Sequence, residues 1–149
     1  MQIIKNLYNI IKDPRFYVIV IISVTLIIIG NHINYTQRIM TNNLINFAGI
    51  KIDWWSISHI ILYIYFGYIF PEYFVEFLLI GIFWEIFESF TAVGTKYINK
   101  TFNCLNSNNI FCKYIKKISS YDYWYGKFDD VVMNMIGFLI GVILIYHLK

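Results

Sequence analysis

Residues 72–94, EYFVEFLLIGIFWEIFESFTAVG, decide how this chain is read. The stretch is apolar enough to enter a membrane, and a helix needs about 20 such residues to cross the hydrocarbon core. Yet Glu85 and Glu88 lie inside it, and their i, i+3 spacing puts both on one helix face. An ionised carboxylate in hydrocarbon costs roughly 3 kcal/mol or more unless it is paired or neutralised. Two on one face also repel each other. A bound cation or a nearby proton donor relieves both costs, so the pair directs the search to its partners.

Three further segments have similar length and character, at 16–30, 54–70 and 130–148, with 73–92 as the span that holds the glutamates. The composition agrees: 58% of the 149 residues are hydrophobic, 20% aromatic and only 14% charged. Soluble domains are usually about 45–50% apolar. The expected fold is therefore all-α: an integral membrane protein of about four transmembrane helices, forming one domain over 1–149. Residues 1–15 place Ile3, Ile4, Leu7, Ile10 and Ile11 at helical spacing among Lys5, Lys12 and Arg15, which reads as an interfacial helix ending near Asp13-Pro14. Residues 16–30 are an anchor span, and 54–148 form a three-helix core interrupted by a long polar loop, 93–129. Residues 31–53 read as a polar connection with a weakly amphipathic middle. Pro71 marks a tight turn between the second and third spans. A net charge of +3 with no basic stripe excludes a nucleic-acid-binding surface of the usual kind.

Following the spans back and forth gathers polar residues at one membrane face. His59 is one turn into the second span, Glu85 and Glu88 are near the loop end of the third, and Asp129, Asp130 and Asn134 open the fourth. The opposite face offers only Glu72 and Glu76. Asp130, Asn134, Gly137 and Gly141 follow i, i+4, i+7, i+11, and Ser56, His59, Tyr63 and Gly67 form a similar stripe. Small residues in such stripes let helices approach closely, so the second and fourth spans are expected to pack with His59 and Asn134 inward. Taken singly, each feature has a plain structural role: acids at a helix N-terminus, glycines for packing, a histidine bonded across helices. Trp54, Trp55, Trp124, Tyr121, Tyr123 and Tyr125 read as an interfacial belt.

Carboxylate and amide oxygens are hard ligands, so Glu85, Glu88, Asp129 and Asp130 are candidate metal ligands for Ca²⁺, with Mg²⁺ or Mn²⁺ as alternatives. His59 is the candidate general base. The chemistry that fits is transfer or hydrolysis at a phosphoester near the membrane surface. Cys104 and Cys112 share the long loop, either as free thiols or as a disulfide facing an oxidising compartment. The sequons Asn34-Tyr35-Thr36 and Asn99-Lys100-Thr101 fall in the two expected loops. With Lys12 and Arg15 flanking the first span, they favour a cytoplasmic N-terminus.

The motifs SHIILYIYFGYIF (58–70), FWEIFESF (83–90) and YWYGKFDDVVMNMIGFLIG (123–141) resemble the membrane core of the base-exchange phosphatidylserine synthases. The matching positions are His59, Trp84, Glu85, Glu88, Trp124, Asp129, Asn134 and Gly137. The resemblance implies calcium-dependent exchange of a phospholipid headgroup for serine at the lumenal face of the endoplasmic reticulum. It makes His59 the base and Glu85, Glu88 and Asp129 calcium ligands. The segment 119–128 carries Asp122 as its only acid, where those synthases carry more. The same order of residues is also similar to VanZ-like membrane proteins, in a register that pairs Asp130 rather than Asp129 with Asn134. Such a chain would act on a lipid-linked phosphate. A third reading, from another class, is a non-enzymatic scaffold or small channel subunit.

Overall fold

The computed structural model describes residues 2–32, 39–47, 50–104, 109–113 and 127–148. The chain is mostly helical. In order, the elements are α1 (Gln2–Lys12), α2 (Pro14–His32), the strands β1 (Asn43–Phe47) and β2 (Ile50–Asp53), α3 (Trp54–Ile69), α4 (Phe74–Thr101) and α5 (Phe128–Leu148). Two compact units divide them. The first comprises Met1–Gly81 and Asp129–Lys149, the second Ile82–Phe128, and α4 runs without a break through the division.

In the first unit, Asp13 separates α1 from α2. Pro14 opens α2 at the one position where a missing N–H costs nothing. The Asp13 carboxylate accepts from the Arg15 backbone N–H at 2.9 Å and from its guanidinium at 2.6 Å. The Arg15 side-chain bond holds the Asp13 carboxyl below the usual carboxylate range and raises the arginine in turn.

The strands form an antiparallel hairpin, with Ile45 opposite Ile52 and an irregularity between Asn43 and Ile45. The chain as a whole is mostly helical as expected, but the sequence places this stretch in a polar connection, which the hairpin corrects. Its signal is the alternation Ile50-Lys51-Ile52-Asp53, a period of two. Asp53 ends β2 and caps α3.

Helix α3 ends at Ile69, where the Phe70 N–H closes the last turn onto the Phe66 carbonyl at 2.7 Å, and Pro71 follows as expected. Ile10, Phe66, Phe70, Phe77 and Phe138 form the core with Tyr63. The Phe66 and Phe77 rings stack with centroids 4.3 Å apart, and Phe138 meets Phe77 at 5.7 Å.

Glycines set how closely the helices pack. A Cβ on Gly137 would lie 2.5 Å from the Ile60 carbonyl oxygen. One on Gly67 would collide with the Phe138 carbonyl, and one on Gly141 with that of Ile64. The two stripes read from the sequence thus seat α3 directly against α5.

The second unit contains the C-terminal part of α4. This helix continues nine residues past the expected end at residue 92. Its threonine hydroxyls donate back to the preceding turn, Thr95 to the Thr91 carbonyl at 3.0 Å and Thr101 to that of Tyr97 at 2.9 Å. These bonds satisfy the hydroxyls within the helix. The sequon Asn99-Lys100-Thr101 consequently lies in the last turn of α4 and not in a loop, while 34–36 lies outside the described residues. Cys104 and Cys112 are disulfide-bonded and buried, with Ile98 packed on them.

Among the described residues, two helices are long and apolar enough to cross a membrane, Phe74–Ile98 and Phe128–Leu148. Helix α2 contributes a shorter apolar stretch, Pro14–Ile27, and α3 has 16 residues.

Candidate functional site

The first polar layer is built where α3 begins. Asp53 has extended backbone geometry, and its Oδ1 accepts the Ser56 backbone N–H at 2.9 Å. A capping aspartate satisfies an orphan donor and faces the positive end of the helix dipole. The Ser56 hydroxyl lies 3.1 Å from the same Asp53 oxygen and 2.9 Å from Asp130 Oδ1 on α5. A serine has one hydrogen to donate, so a single hydroxyl links two carboxylates. All three side chains are buried: Ser56 is 0% exposed, Asp53 2% and Asp130 5%. Acids so enclosed persist only where protons, cations or donors compensate them.

The second layer lies one turn further along both helices. His59 Nδ1 is 2.9 Å from Asn134 Oδ1. An amide oxygen only accepts, so Nδ1 is the donor in this bond and Nε2 is turned away from it. A ligand atom of His59 and one of Asp130 lie within 4.8 Å of each other. Asn134 is 1% exposed, and its Nδ2 has no hydrogen-bond partner among the described residues. That nitrogen packs against Gly81: a Cβ there would come within 2.9 Å of it and within 2.6 Å of the Tyr63 hydroxyl. Tyr63 donates to the Phe77 carbonyl at 3.2 Å. Chemically, the pair of layers offers an oriented imidazole beside a buried carboxylate, the arrangement of a positioned base.

The structure thus brings together His59, Asp130 and Asn134, three of the residues named from the sequence. It adds Asp53 and engages Ser56. In the sequence Asp53 enters only through the VanZ-like resemblance, as the acid near the helix start before His59, although an Asp directly before an apolar run is itself a helix-start signal. Asp129 is half-buried and sits about 100° around α5 from Asp130, so it is Asp130 that shares the Asn134 face.

Glu85 and Glu88 belong to the second unit. Glu85 is buried, at 7% exposed, and its Oε2 accepts the Lys127 backbone N–H at 2.9 Å. Glu88 is half-buried. Trp54 is 43% exposed and Trp55 half-buried at the start of α3, while Trp124, Tyr121, Tyr123 and Tyr125 lie outside the described residues. Comparison with family models, curated proteins and solved structures found no match to this chain.

Proposed function

We propose that this chain is an integral membrane enzyme that transfers or exchanges the headgroup of a phospholipid, using a divalent cation and a small hydroxyl acceptor such as serine. The observation that carries the reading is the His59 Nδ1–Asn134 Oδ1 bond beside buried Asp130, on two helices packed glycine to backbone. In this reading α2, α3, α4 and α5 are the four spans.

His59 Nε2 accepts the proton of the attacking hydroxyl as its oxygen bonds to phosphorus and returns it to the headgroup alcohol that leaves as the old P–O bond breaks, and Asn134 keeps the ring oriented for both transfers. Asp130 would supply an oxygen donor for a cation of the Ca²⁺, Mg²⁺ or Mn²⁺ class in the first unit, and Glu85 and Glu88 are candidate donors within the second. When bound, such an ion would neutralise phosphate charge. The donor set fits that class: buried carboxylates and no thiolate, since both cysteines are committed to each other.

The disulfide supports one choice of membrane side. Disulfides persist in oxidising compartments, so the Cys104–Cys112 segment is assigned to the lumenal or outer side and the N-terminus to the cytoplasm. In a eukaryotic or viral setting this is an endomembrane such as the endoplasmic reticulum. A second reading has its own support. Asp130, rather than Asp129, holds the buried place one turn before Asn134, which is the VanZ-like register and points to a lipid-linked phosphate substrate.

The test is turnover in mixed-phospholipid vesicles given labelled serine, ethanolamine or water, with calcium or with chelator. Labelled lipid that requires calcium identifies the acceptor. A folded protein with no turnover on any acceptor overturns headgroup transfer and leaves the lipid-linked phosphate, or a non-enzymatic scaffold or channel subunit, to be tested.

A further inference from the structure

Helix α1 is held to the first unit by one narrow edge. Ile10 is 0% exposed in the aromatic core, and Asn6 Nδ2 donates to Glu76 Oε1 at 2.7 Å. Glu76 is itself 4% exposed. These two contacts fix the rotation of α1 about its axis, because Asn6 and Ile10 are one turn apart.

The apolar surface of α1 does not end at that edge. At about 100° per residue, Ile11, Ile4 and Tyr8 lie roughly 100–160° around the helix from Ile10. They are 51%, 73% and 56% exposed. Next around the wheel come Lys12 and Lys5, both exposed, about 20° from each other and roughly 10 Å apart along the axis. The Lys12 amino group stands 4.4 Å over the Tyr8 ring. There is no acidic residue in α1. Its first unit therefore covers one side of an amphipathic helix and leaves an apolar arc bordered by two cations.

We propose that this arc binds the headgroup layer of an anionic phospholipid leaflet, with Ile4 and Ile11 in the acyl boundary and Lys5 and Lys12 on lipid phosphates. The charge pattern selects a lipid surface: an apolar strip edged by lysines matches the boundary between hydrocarbon and anionic headgroups. Helix α2, which follows after a single residue, is apolar from Pro14 to Ile27 and carries α1 to that boundary. The Asn6–Glu76 bond and buried Ile10 present the arc at a fixed angle, so little ordering is needed on binding. The inference rests on the membrane reading above.

The native cysteines are bonded to each other, so an added cysteine is the single free thiol of the full-length chain. Spin labels at Ile4→Cys, Asn9→Cys and Ile143→Cys, in vesicles of phosphatidylcholine with phosphatidylglycerol, report depth through oxygen and nickel-chelate accessibility. The proposal predicts hydrocarbon at positions 4 and 143 and water at 9. Water at 4 with hydrocarbon at 143 overturns the α1 proposal alone, and water at 143 overturns the membrane reading with it. Spin-labelled phosphatidylglycerol should associate in preference to phosphatidylcholine, and Lys5→Gln and Lys12→Gln should each lower that preference by roughly fivefold. An unchanged preference in the double variant overturns the anionic-lipid assignment.

Discussion

Gly137→Ala is expected to destabilise the protein by about 3 kcal/mol or more, with loss of the native α3–α5 contact. Overpacking a core commonly costs about 1–3 kcal/mol when neighbouring side chains can move aside. Here the obstacle is the Ile60 carbonyl, 2.5 Å from where the methyl would sit, with Ile60 Cα at 3.0 Å. Backbone cannot rotate away, so the helices must separate, and that pulls His59 from Asn134 and Ser56 from Asp130. Gly67→Ala and Gly141→Ala meet carbonyls in the same way. Gly94→Ala is the control. It lies in α4 with nothing within 4 Å of the new methyl, and alanine is the better helix former by roughly 1 kcal/mol. Thermal unfolding in detergent should therefore move down for position 137 and slightly up for position 94. Equal behaviour at the two sites would mean that α3 and α5 are not in backbone contact.

His59→Ala should lower turnover by about 10²–10⁴-fold, the usual contribution of a positioned base, with unfolding temperature nearly unchanged. The ring is only half-buried, so its removal opens little cavity. In the proposed mechanism Asn134 acts through His59, as a positioning residue. Asn134→Ala frees Nδ1 and is expected to cost roughly 10–100-fold, in the range of other orienting partners. Asn134→Asp restores an acceptor for Nδ1–H and should recover much of the loss. A structural asparagine would show the opposite order, because aspartate adds buried charge against Gly81. Rates for the three variants beside wild type, each with its unfolding temperature, distinguish the two roles.

Much of this arrangement was legible because helix period is legible. The stripe from Asp130 through Asn134 to Gly141, and that from Ser56 through His59 to Gly67, fall on single helix faces by spacing alone. Glycine at two of the four positions in the first stripe announced that a backbone would come close. Pro71 fixed the end of α3 for steric reasons local to the chain. Other features depend on circumstances that spacing does not carry. The hairpin 43–53 has only four alternating residues in its second strand, and a short alternation in a polar stretch is a weak signal. The extension of α4 beyond residue 92 includes threonines bonded to their own helix, which hydropathy counts as polar and hence as loop. Choosing between Asp129 and Asp130 requires the rotation of α5, which Gly137 against Ile60 sets. Asp53 is legible as the acid at the start of α3, but its bond to Ser56, and through it to Asp130, is not.

Two carboxylates three residues apart in an apolar stretch raised the question of what they serve, and Asp53 and Asp130, linked by Ser56, deepen it. The central claim is that the buried acids are there for a divalent cation. Electron paramagnetic resonance of Mn²⁺ titrated into purified full-length protein tests this directly. The account predicts saturable binding, weakened about tenfold or more by Asp130→Asn, and displaced by Ca²⁺. Free Mn²⁺ throughout the titration, or a variant that binds as wild type does, would contradict it and leave these acids as protonated or hydrogen-bonded elements of the fold.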